Sequence, residues 1–371
     1  MKKKFIYIVI IIFAFMLSGS YYEEAIGEQL EIAEESRFSD ALSDDVLEML
    51  KKIGIDGLDA EKLASLSFAD ILKLVAESFI LKIKEPFYAA VTVTAAAILC
   101  AVIQSLCENF SQTGTVINAV SALSAAATVL VPMKNIITSA AEVIRECSDF
   151  MLGFIPVYSS VITASGYVSS ATGFRTLMLS AVTVISRLAG ELMVPLICIY
   201  LAMCIAGAVS DIDISGISKA VKSFAVWVLG ALMTVFSGIM GLGTLITSSA
   251  DSAFSKTAKF LIGSAVPVVG STVSDALSTV KSCLNVTKNV LGAYAIIVIA
   301  VIFLPPIISL VSWKICLSVS SGIGGIFGNK NLSGLLSSAS AVMGIMLALV
   351  VITAIMFIFS VSIMLMTGGA G

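Results

Sequence analysis

Few side chains in this sequence have the types and spacing that chemistry needs. The 371 residues include no histidine, which removes the commonest general base and zinc ligand. The seven cysteines form no CxxC pair, so we interpret them as small buried hydrophobic residues. No Walker phosphate loop occurs, because Asn331 follows Lys330 where Ser or Thr is required. We therefore predict a protein that is not an enzyme and that has no catalytic, cofactor-binding or metal-binding residues.

Arg187 and Glu191 are the first exception, because they lie four residues apart beside or within an apolar stretch. An isolated charge in the middle of a membrane costs at least about 2.5 kcal/mol. One helical turn apart, the two side chains can neutralise each other. The pair has two interpretations: a polar contact that lines a conduit or a subunit interface, or an ordinary ion pair at the membrane surface.

Glycines and prolines supply the next candidates. Gly230, Gly238 and Gly241 lie among other small residues in one apolar stretch, and such spacing lets helix backbones approach closely. They form either an oligomer interface or packing within one subunit. Pro305 and Pro306 interrupt another apolar stretch and remove two backbone donors. They mark either a hinge or a static kink.

The segment KTAKFLIGSAVPVVGSTVSDAL, at residues 256–277, is the last candidate. It carries no charge from Phe260 to Ser274, and about 15 residues are too few to cross the hydrocarbon core as a helix. We predict a re-entrant or interfacial hairpin that packs against the glycine-rich span before it. It either lines and gates a conduit or has a static packing role. The candidate residues in it are Lys256, Lys259, Pro267, Gly270 and Asp275.

Composition predicts the framework that positions these residues. Hydrophobic residues make up 58% and charged residues 13% of the chain, with a mean hydropathy of +1.04. We predict an all-α, polytopic helical membrane protein with seven spans, six and eight being the alternatives. The spans are residues 87–106, 116–133, 151–166, 176–209, 224–247, 289–313 and 341–366.

The sequence predicts three parts in chain order. Residues 1–20 have three lysines, 13 apolar residues and then small residues, which is typical of a secretory signal peptide; an uncleaved anchor is the alternative. Residues 21–86 form an acidic, extracytoplasmic segment of amphipathic helices, with a helix that Gly54 can end. Residues 87–371 form the polytopic membrane domain. The lysines and arginines of the loops do not decide its orientation.

A longer pattern runs between Lys219 and Pro306. It begins KAVKSFAVWVLGALMTVFSG and continues through the segment at residues 256–277, and a further patch lies at FIPVYSSVITASG. This pattern resembles the stage III sporulation protein AE family. The matching residues are Lys222, Trp227, Leu229, Gly230, Thr234, Phe236, Gly238, Lys256, Thr257, Lys259, Phe260, Pro267, Val268, Gly270, Ser274 and Asp275.

The resemblance implies a role in endospore formation. Proteins of this family are expected in the mother-cell membrane around the engulfed forespore, with the N-terminal segment in the intermembrane space. The chain is expected to lie in the lipid bilayer. Its expected protein partners are other stage III sporulation A membrane proteins and a forespore protein, and these proteins together form a secretion-like channel. A ring of identical subunits follows by analogy with secretion gates, and no nucleic acid is expected. The alternative function is a secondary transporter, or a permease subunit, for a small solute.

Overall fold

The computed structural model describes residues 42–55, 68–106, 113–165, 167–209, 216, 219–238, 241, 270–327 and 330–366, and this part of the chain is helical without strands. The predicted signal peptide, residues 21–41 of the acidic segment and residues 256–269 lie outside the described residues. The helices are α1 Asp44–Lys52, α2 Phe68–Lys82, α3 Lys84–Leu106, α4 Thr113–Ala164, α5 Val168–Arg187, a π-helical turn Leu188–Met193, α6 Val194–Val209, α7 Lys219–Gly238, α8 Gly270–Ile326 and α9 Lys330–Met366.

Helix α1 forms where local signals predict it. Acidic residues occupy its first turn and Lys51 and Lys52 its last turn, which suits the helix dipole. Gly54 has a φ of 83°, its N–H donates to the carbonyl of Lys51, and that of Ile55 donates to Leu50. This pair of bonds is a Schellman motif, which needs a residue such as glycine at the left-handed position.

Helix α4 corrects the predicted division into spans. It is one 52-residue helix, about 78 Å long at 1.5 Å per residue, whereas the hydrocarbon core is about 30 Å thick. The runs at residues 116–133 and 151–166, predicted as separate spans, therefore share one helix for most of their length. The described residues include five helical stretches long and apolar enough to cross a membrane: Leu123–Ala164, Ser170–Gly207, Lys219–Gly238, Cys283–Ile326 and Asn331–Leu365. The count of seven is not confirmed.

Helices α8 and α9 form an antiparallel hairpin whose register is fixed by contacts along its length. Near the turn, the hydroxyl of Ser321 donates to the carbonyl of Ser333 at 2.9 Å, and that of Ser333 donates to the carbonyl of Ser321 at 2.8 Å. Further on, the hydroxyl of Ser340 donates to the carbonyl of Lys314 at 3.1 Å. Gly292 packs against Leu365 at the far end. The uncharged runs at residues 289–313 and 341–366 therefore lie side by side.

The core lies where α4 meets α8 and α9. Phe150, Phe154 and Tyr158 follow each other at helical spacing on α4, with ring centroids 5.8 and 5.4 Å apart. On α8, Trp313 is fully buried. Val46 and Leu50 of α1 belong to the same cluster of buried side chains. The first described helix thus packs on the membrane body.

Candidate functional site

Pro305 and Pro306 lie in the middle of α8, beside a polar groove. Neither proline can donate to the carbonyl four residues before it, so the carbonyls of Val301 and Ile302 lose their helical partners. On α4, Pro132 leaves the carbonyl of Thr128 in the same condition. The two proline-interrupted helices face each other across this groove, which has a volume of about 480 Å³.

The groove is lined by residues of five helices, α1, α2, α3, α4 and α8. Its charged lining consists of Asp45 from α1, Lys82 at the end of α2, Glu85 at the start of α3 and Glu146 from α4. The lining thus includes three carboxylates and one ammonium group. Ser43, Asn135, Ser139 and Ser309 add uncharged polar groups, and the other half of the lining is apolar, with Val46, Leu81, Ile136, Val143 and Ile302 beside the three prolines. The polar half of the lining suits water and hydrated solutes.

Helix α1 covers one side of the groove. The backbone N–H of Ser43, the residue before α1, donates to Oε1 of Glu146 at 2.6 Å, so a carboxylate lies at the helix N-terminus, where the dipole favours negative charge. On the solvent face, Lys52 pairs with Glu48 at 2.8 Å. The hydrogen bond and charge of Lys52 lower the pKa of Glu48, and Glu48 raises the pKa of Lys52 in turn.

Arg187 and Glu191 do not form the ion pair that their spacing predicts. Both side chains are described and exposed, and no ion pair joins them within 4.0 Å. A π-helical turn at Leu188–Met193 begins directly after Arg187 and includes Glu191, and its wider winding changes the angular spacing on which an i,i+4 contact depends. A Cβ atom added at Gly190 would lie 3.8 Å from Nε of Arg145 on α4, so the turn lies beside a charged part of that helix.

That charged part is a face of α4. Lys134, Glu142, Arg145 and Asp149 are all exposed, and their spacings of eight, three and four residues place them on one side of the helix. Sequence reasoning missed this face because it interpreted residues 134–150 as a connection between two spans. The signal was present in the helical spacing of the charges, which a loop does not require.

Two comparisons identify the family. The family model described as Stage III sporulation protein AE matches residues 55–368. The chain belongs to the stage III sporulation protein AE family. It is 23% identical to Stage III sporulation protein AE of Bacillus subtilis (strain 168) over 275 residues, which cover 73% of this chain and 69% of the relative. No solved structure matches the chain. The predicted resemblance is confirmed, and membership supports a role in sporulation.

In this member of the stage III sporulation protein AE family, the glycines of α7 lie away from the subunit core. The buried side of α7 carries Ala225, Leu229 and Leu232, and its Phe236 contacts Phe359 of α9 with ring centroids 6.4 Å apart. Gly230, Gly238 and Gly241 are exposed, and a Cβ atom added at any of them meets no atom within 4 Å. Gly230 and Gly238, the two glycines within α7, therefore make no close packing contact within the described part of the subunit.

The family pattern at residues 256–277 falls mostly outside the described residues, which exclude Lys256, Lys259 and Pro267. Gly270 is the first residue of α8, and Asp275 lies in its second turn. The end of the predicted hairpin thus begins a 57-residue helix, and the hairpin itself is not confirmed. Of the sequence candidates that the structure describes, only Pro305 and Pro306 lie in the groove.

Metal-binding side chains do not cluster in the described part of this family member: no group of three or more Cys, Asp or Glu residues there could hold an ion. Among the cysteines with described side chains, Cys147, Cys198, Cys204, Cys283 and Cys316 form no disulfide.

Proposed function

We propose that this protein is a non-enzymatic integral membrane component of a channel complex that links mother cell and forespore and supports forespore development after engulfment. The observation that carries the proposal is the family match over residues 55–368. Five long apolar helices and a polar groove at two proline-interrupted helices suit a membrane conduit better than a catalyst.

The proposal includes a location and partners. The chain acts in the mother-cell membrane around the forespore, with α1 and α2 on the side of the intermembrane space. Other stage III sporulation A membrane proteins and a forespore protein complete the channel. Identical subunits meet through the exposed glycine face of α7, since small residues permit close helix contact in a membrane.

Deletion of the gene in its native spore former tests this function. We expect engulfed forespores to lose volume and late forespore transcription to fall, and an intact copy of the gene to restore both. Forespores that keep their volume and their late transcription in the deletion strain would contradict the proposal. Co-purification with the other stage III sporulation A proteins from sporulating cells tests the partners.

A secondary transporter, or a permease subunit that works with a separate ATPase, is the second candidate. The groove favours it, because transporters place interrupted helices beside a polar site at membrane depth. Purified protein in vesicles should then take up a small solute, and Pro305→Ala should reduce the uptake. A permease subunit would need its ATPase in the same vesicles. Normal engulfment and spore formation in the deletion strain, together with such uptake, would favour this second function.

A further inference from the structure

Helix α4 is too long to lie within one bilayer. Its 52 residues extend about 78 Å at 1.5 Å per residue, whereas a bilayer with its headgroups is about 40–45 Å thick. A tilt of up to about 40° from the membrane normal does not remove this excess. The 57 residues of α8 extend further still. A part of both helices must therefore project from the membrane.

Three contacts bring charged side chains to one level of the bundle. The bond between Ser43 and Glu146 places α1 beside the charged face of α4, and the approach of Gly190 to Arg145 places the π-helical turn there. The groove adds the junction of α2 and α3. Together these elements form a charged belt, which consists of α1 and residues 82–85, 134–149 and 187–191.

We call the part of the bundle between this belt and the turn that joins α8 to α9 the turn half. The hydroxyl of Thr94 on α3 donates to Oγ of Ser320 at 3.3 Å, and one small apolar cavity is lined by Met133 of α4, Leu201 of α6 and Leu335 of α9. Five helices thus run side by side here. Each contributes a stretch about 22–32 Å long, close to the hydrocarbon core of about 30 Å. The stretches are residues 87–106, 113–133, 192–209, 310–326 and 330–344.

The surface of the turn half is apolar. Five of its large apolar side chains are 50–64% exposed: Val91, Leu99 and Val102 on α3, and Val120 and Val131 on α4. The five stretches carry only two charges, Lys314 and Lys330, and Lys330 lies at the turn itself, as the first residue of α9. A continuous apolar surface of this kind suits lipid chains.

Side chains typical of a membrane surface lie where the belt meets the turn half. Tyr88 is 70% exposed and follows Lys84 by one helical turn, and this combination at the start of an apolar helix is typical of the headgroup region. The ammonium group of Lys314 lies 3.6 Å from the Cβ position of Gly344. Gly344 is one helical turn nearer the belt than Ser340, which bonds to the Lys314 carbonyl. Lys314 thus extends toward the belt, as lysines near a membrane surface do.

The far half, which is the rest of the bundle beyond the belt, has a polar surface on α5. The buried face of α5 includes Phe174 and Met178, and its exposed face carries hydroxyl groups at helical spacing: Thr172, Thr176, Ser180 and Thr183. Such a pattern is typical of a helix between water and a protein core. Arg175 is exposed on the same side, about 18 Å along the helix from Arg187 of the belt, where hydrocarbon would make its charge costly.

The apolar runs of α8 and α9 in the far half are covered by protein. Fully buried side chains of these runs are Ala295, Val298 and Ile299 on α8, and Leu349, Phe357 and Val361 on α9. The large apolar side chains exposed among the described residues of these runs are few: Val286, Ile355 and Phe359. Helices that are apolar on all sides occur in protein cores as well as in membranes. The hydropathy of these runs therefore does not require lipid around them.

We propose that the charged belt lies at the membrane surface, with Lys84 and Lys134 among the phospholipid headgroups. The turn half fills the bilayer, and the far half projects into water on the side of α1. The belt carries side chains of both signs, which suits the phosphate and ammonium groups of lipid headgroups and the water above them. That this side is the intermembrane space rests on the proposed function. The far half then gives the channel complex a surface for contacts beyond the membrane.

Thiol labelling of the full-length protein tests this placement. Thr176→Cys in the far half and Leu99→Cys in the turn half are made singly in a variant whose seven cysteines are replaced by alanine. Each protein is reconstituted in vesicles of phosphatidylglycerol and phosphatidylethanolamine. The vesicles are frozen and thawed with a membrane-impermeant methanethiosulfonate reagent, so that both membrane faces meet it. We expect position 176 to react at least tenfold faster than position 99, although Leu99 is 64% exposed in the subunit.

Two controls accompany this comparison. Glu48→Cys lies on the exposed face of α1 and should react as fast as Thr176→Cys. The thiols at positions 176 and 99 should react equally after the protein is unfolded in sodium dodecyl sulfate, which shows that both are intact. Ser180→Cys and Val102→Cys replace any variant that does not elute as an intact protein in detergent.

Three results would overturn the proposal. Faster labelling at position 99 places the turn half in water, equal and fast labelling places the belt in the middle of the bilayer, and slow labelling at both positions removes water from the far half. The assay needs no sporulating cell, so its outcome is separate from that of the deletion strain. Any of these results together with defective sporulation of that strain would leave the proposed function standing.

Discussion

The backbone N–H of Ser43 donates a 2.6 Å hydrogen bond to the carboxylate of Glu146, which lies 103 positions further along the chain. This bond and the apolar contacts of Val46 and Leu50 attach α1 to the membrane body. The attachment is small for a helix that covers a groove of about 480 Å³. The position of α1 should therefore respond to changes in one side chain.

Glu146→Ala should weaken the attachment of α1 to α4. Loss of a charge-assisted bond at this partly exposed site weakens the attachment by about 1 kcal/mol, which corresponds to roughly fivefold faster hydrogen exchange in the α1 amides. Glu146→Gln keeps an acceptor oxygen and should change the exchange rate much less. Unchanged exchange in Glu146→Ala would mean that the apolar contacts alone hold the helix.

Glu48 gives α1 a dependence on pH. Lys52 lowers the pKa of Glu48 in the folded helix, so the stabilisation from this pair is present above the ordinary pKa of a glutamate and is lost as the pH falls through the lowered value. Hydrogen exchange in α1, corrected for its intrinsic pH dependence, should show a loss of protection over that acidic range. Glu48→Gln is the control, and equal loss in this variant would assign the effect to another group.

Gly292 allows α8 and α9 to approach closely. A Cβ atom at this position would lie less than 3.0 Å from three carbon atoms of Leu365, so Gly292→Ala should destabilise the hairpin by about 1–3 kcal/mol. The thermal unfolding midpoint in detergent measures the loss. Gly322→Ala is the matched control, since nothing lies within 4 Å of its added Cβ and alanine favours a helix.

A substitution of Leu365 shows whether Gly292→Ala destabilises the hairpin by crowding this side chain or for another reason. Gly292→Ala combined with Leu365→Ala should unfold at a higher temperature than the sum of the two single effects predicts, because the smaller side chain makes room for the added methyl group. Additive losses would show that Gly292 matters for a reason other than its approach to Leu365.

The sequence predicts the parts of this fold that local rules decide. Asp44, Lys52 and Gly54 mark the limits of α1, and the uncharged runs of α8 and α9 are long enough to be recognised alone. The length of α4 was not predicted, because the charges from Lys134 to Asp149 were interpreted as a loop. A helix continues through such residues when one of its faces remains buried, and burial is decided by partners that are distant in sequence.

The groove shows the same limit for function. Pro305 and Pro306 are visible in the sequence as an interruption, but Glu146 and Lys82 join them in the lining of one groove only in the folded chain. Arg187 and Glu191 show the converse error. Their spacing predicts a pair on an α-helix, whereas Glu191 lies in a π-helical turn that begins directly after Arg187, and that turn depends on packing that sequence spacing does not encode.

Gly230 and Gly238 should matter between subunits rather than within one. A side chain at either position meets open space in the described part of the subunit, so Gly230→Leu and Gly238→Leu should leave the thermal unfolding midpoint of the monomer nearly unchanged. Cross-linking of membranes should detect fewer oligomers in both variants. Met233→Leu changes an exposed residue of the same helix to the side of the glycine face with little change in volume, and it serves as the control.

Substitution of Pro305 and Pro306 tests whether they form a hinge or a static kink. Replacement of both by alanine restores two N–H donors, which can bond to the carbonyls of Val301 and Ile302, so α8 should straighten and its thermal stability should stay equal or rise. If the proposed channel needs the two prolines to keep the groove open, sporulation efficiency should fall at least tenfold although the protein is more stable.

Pro156→Ala is the control, because Pro156 also lies inside a helix but not in the lining of the groove. A loss of sporulation that is equal in both variants would point to general disturbance of the bundle, whereas normal sporulation of the Pro305→Ala/Pro306→Ala variant would show that the kink has only a packing role.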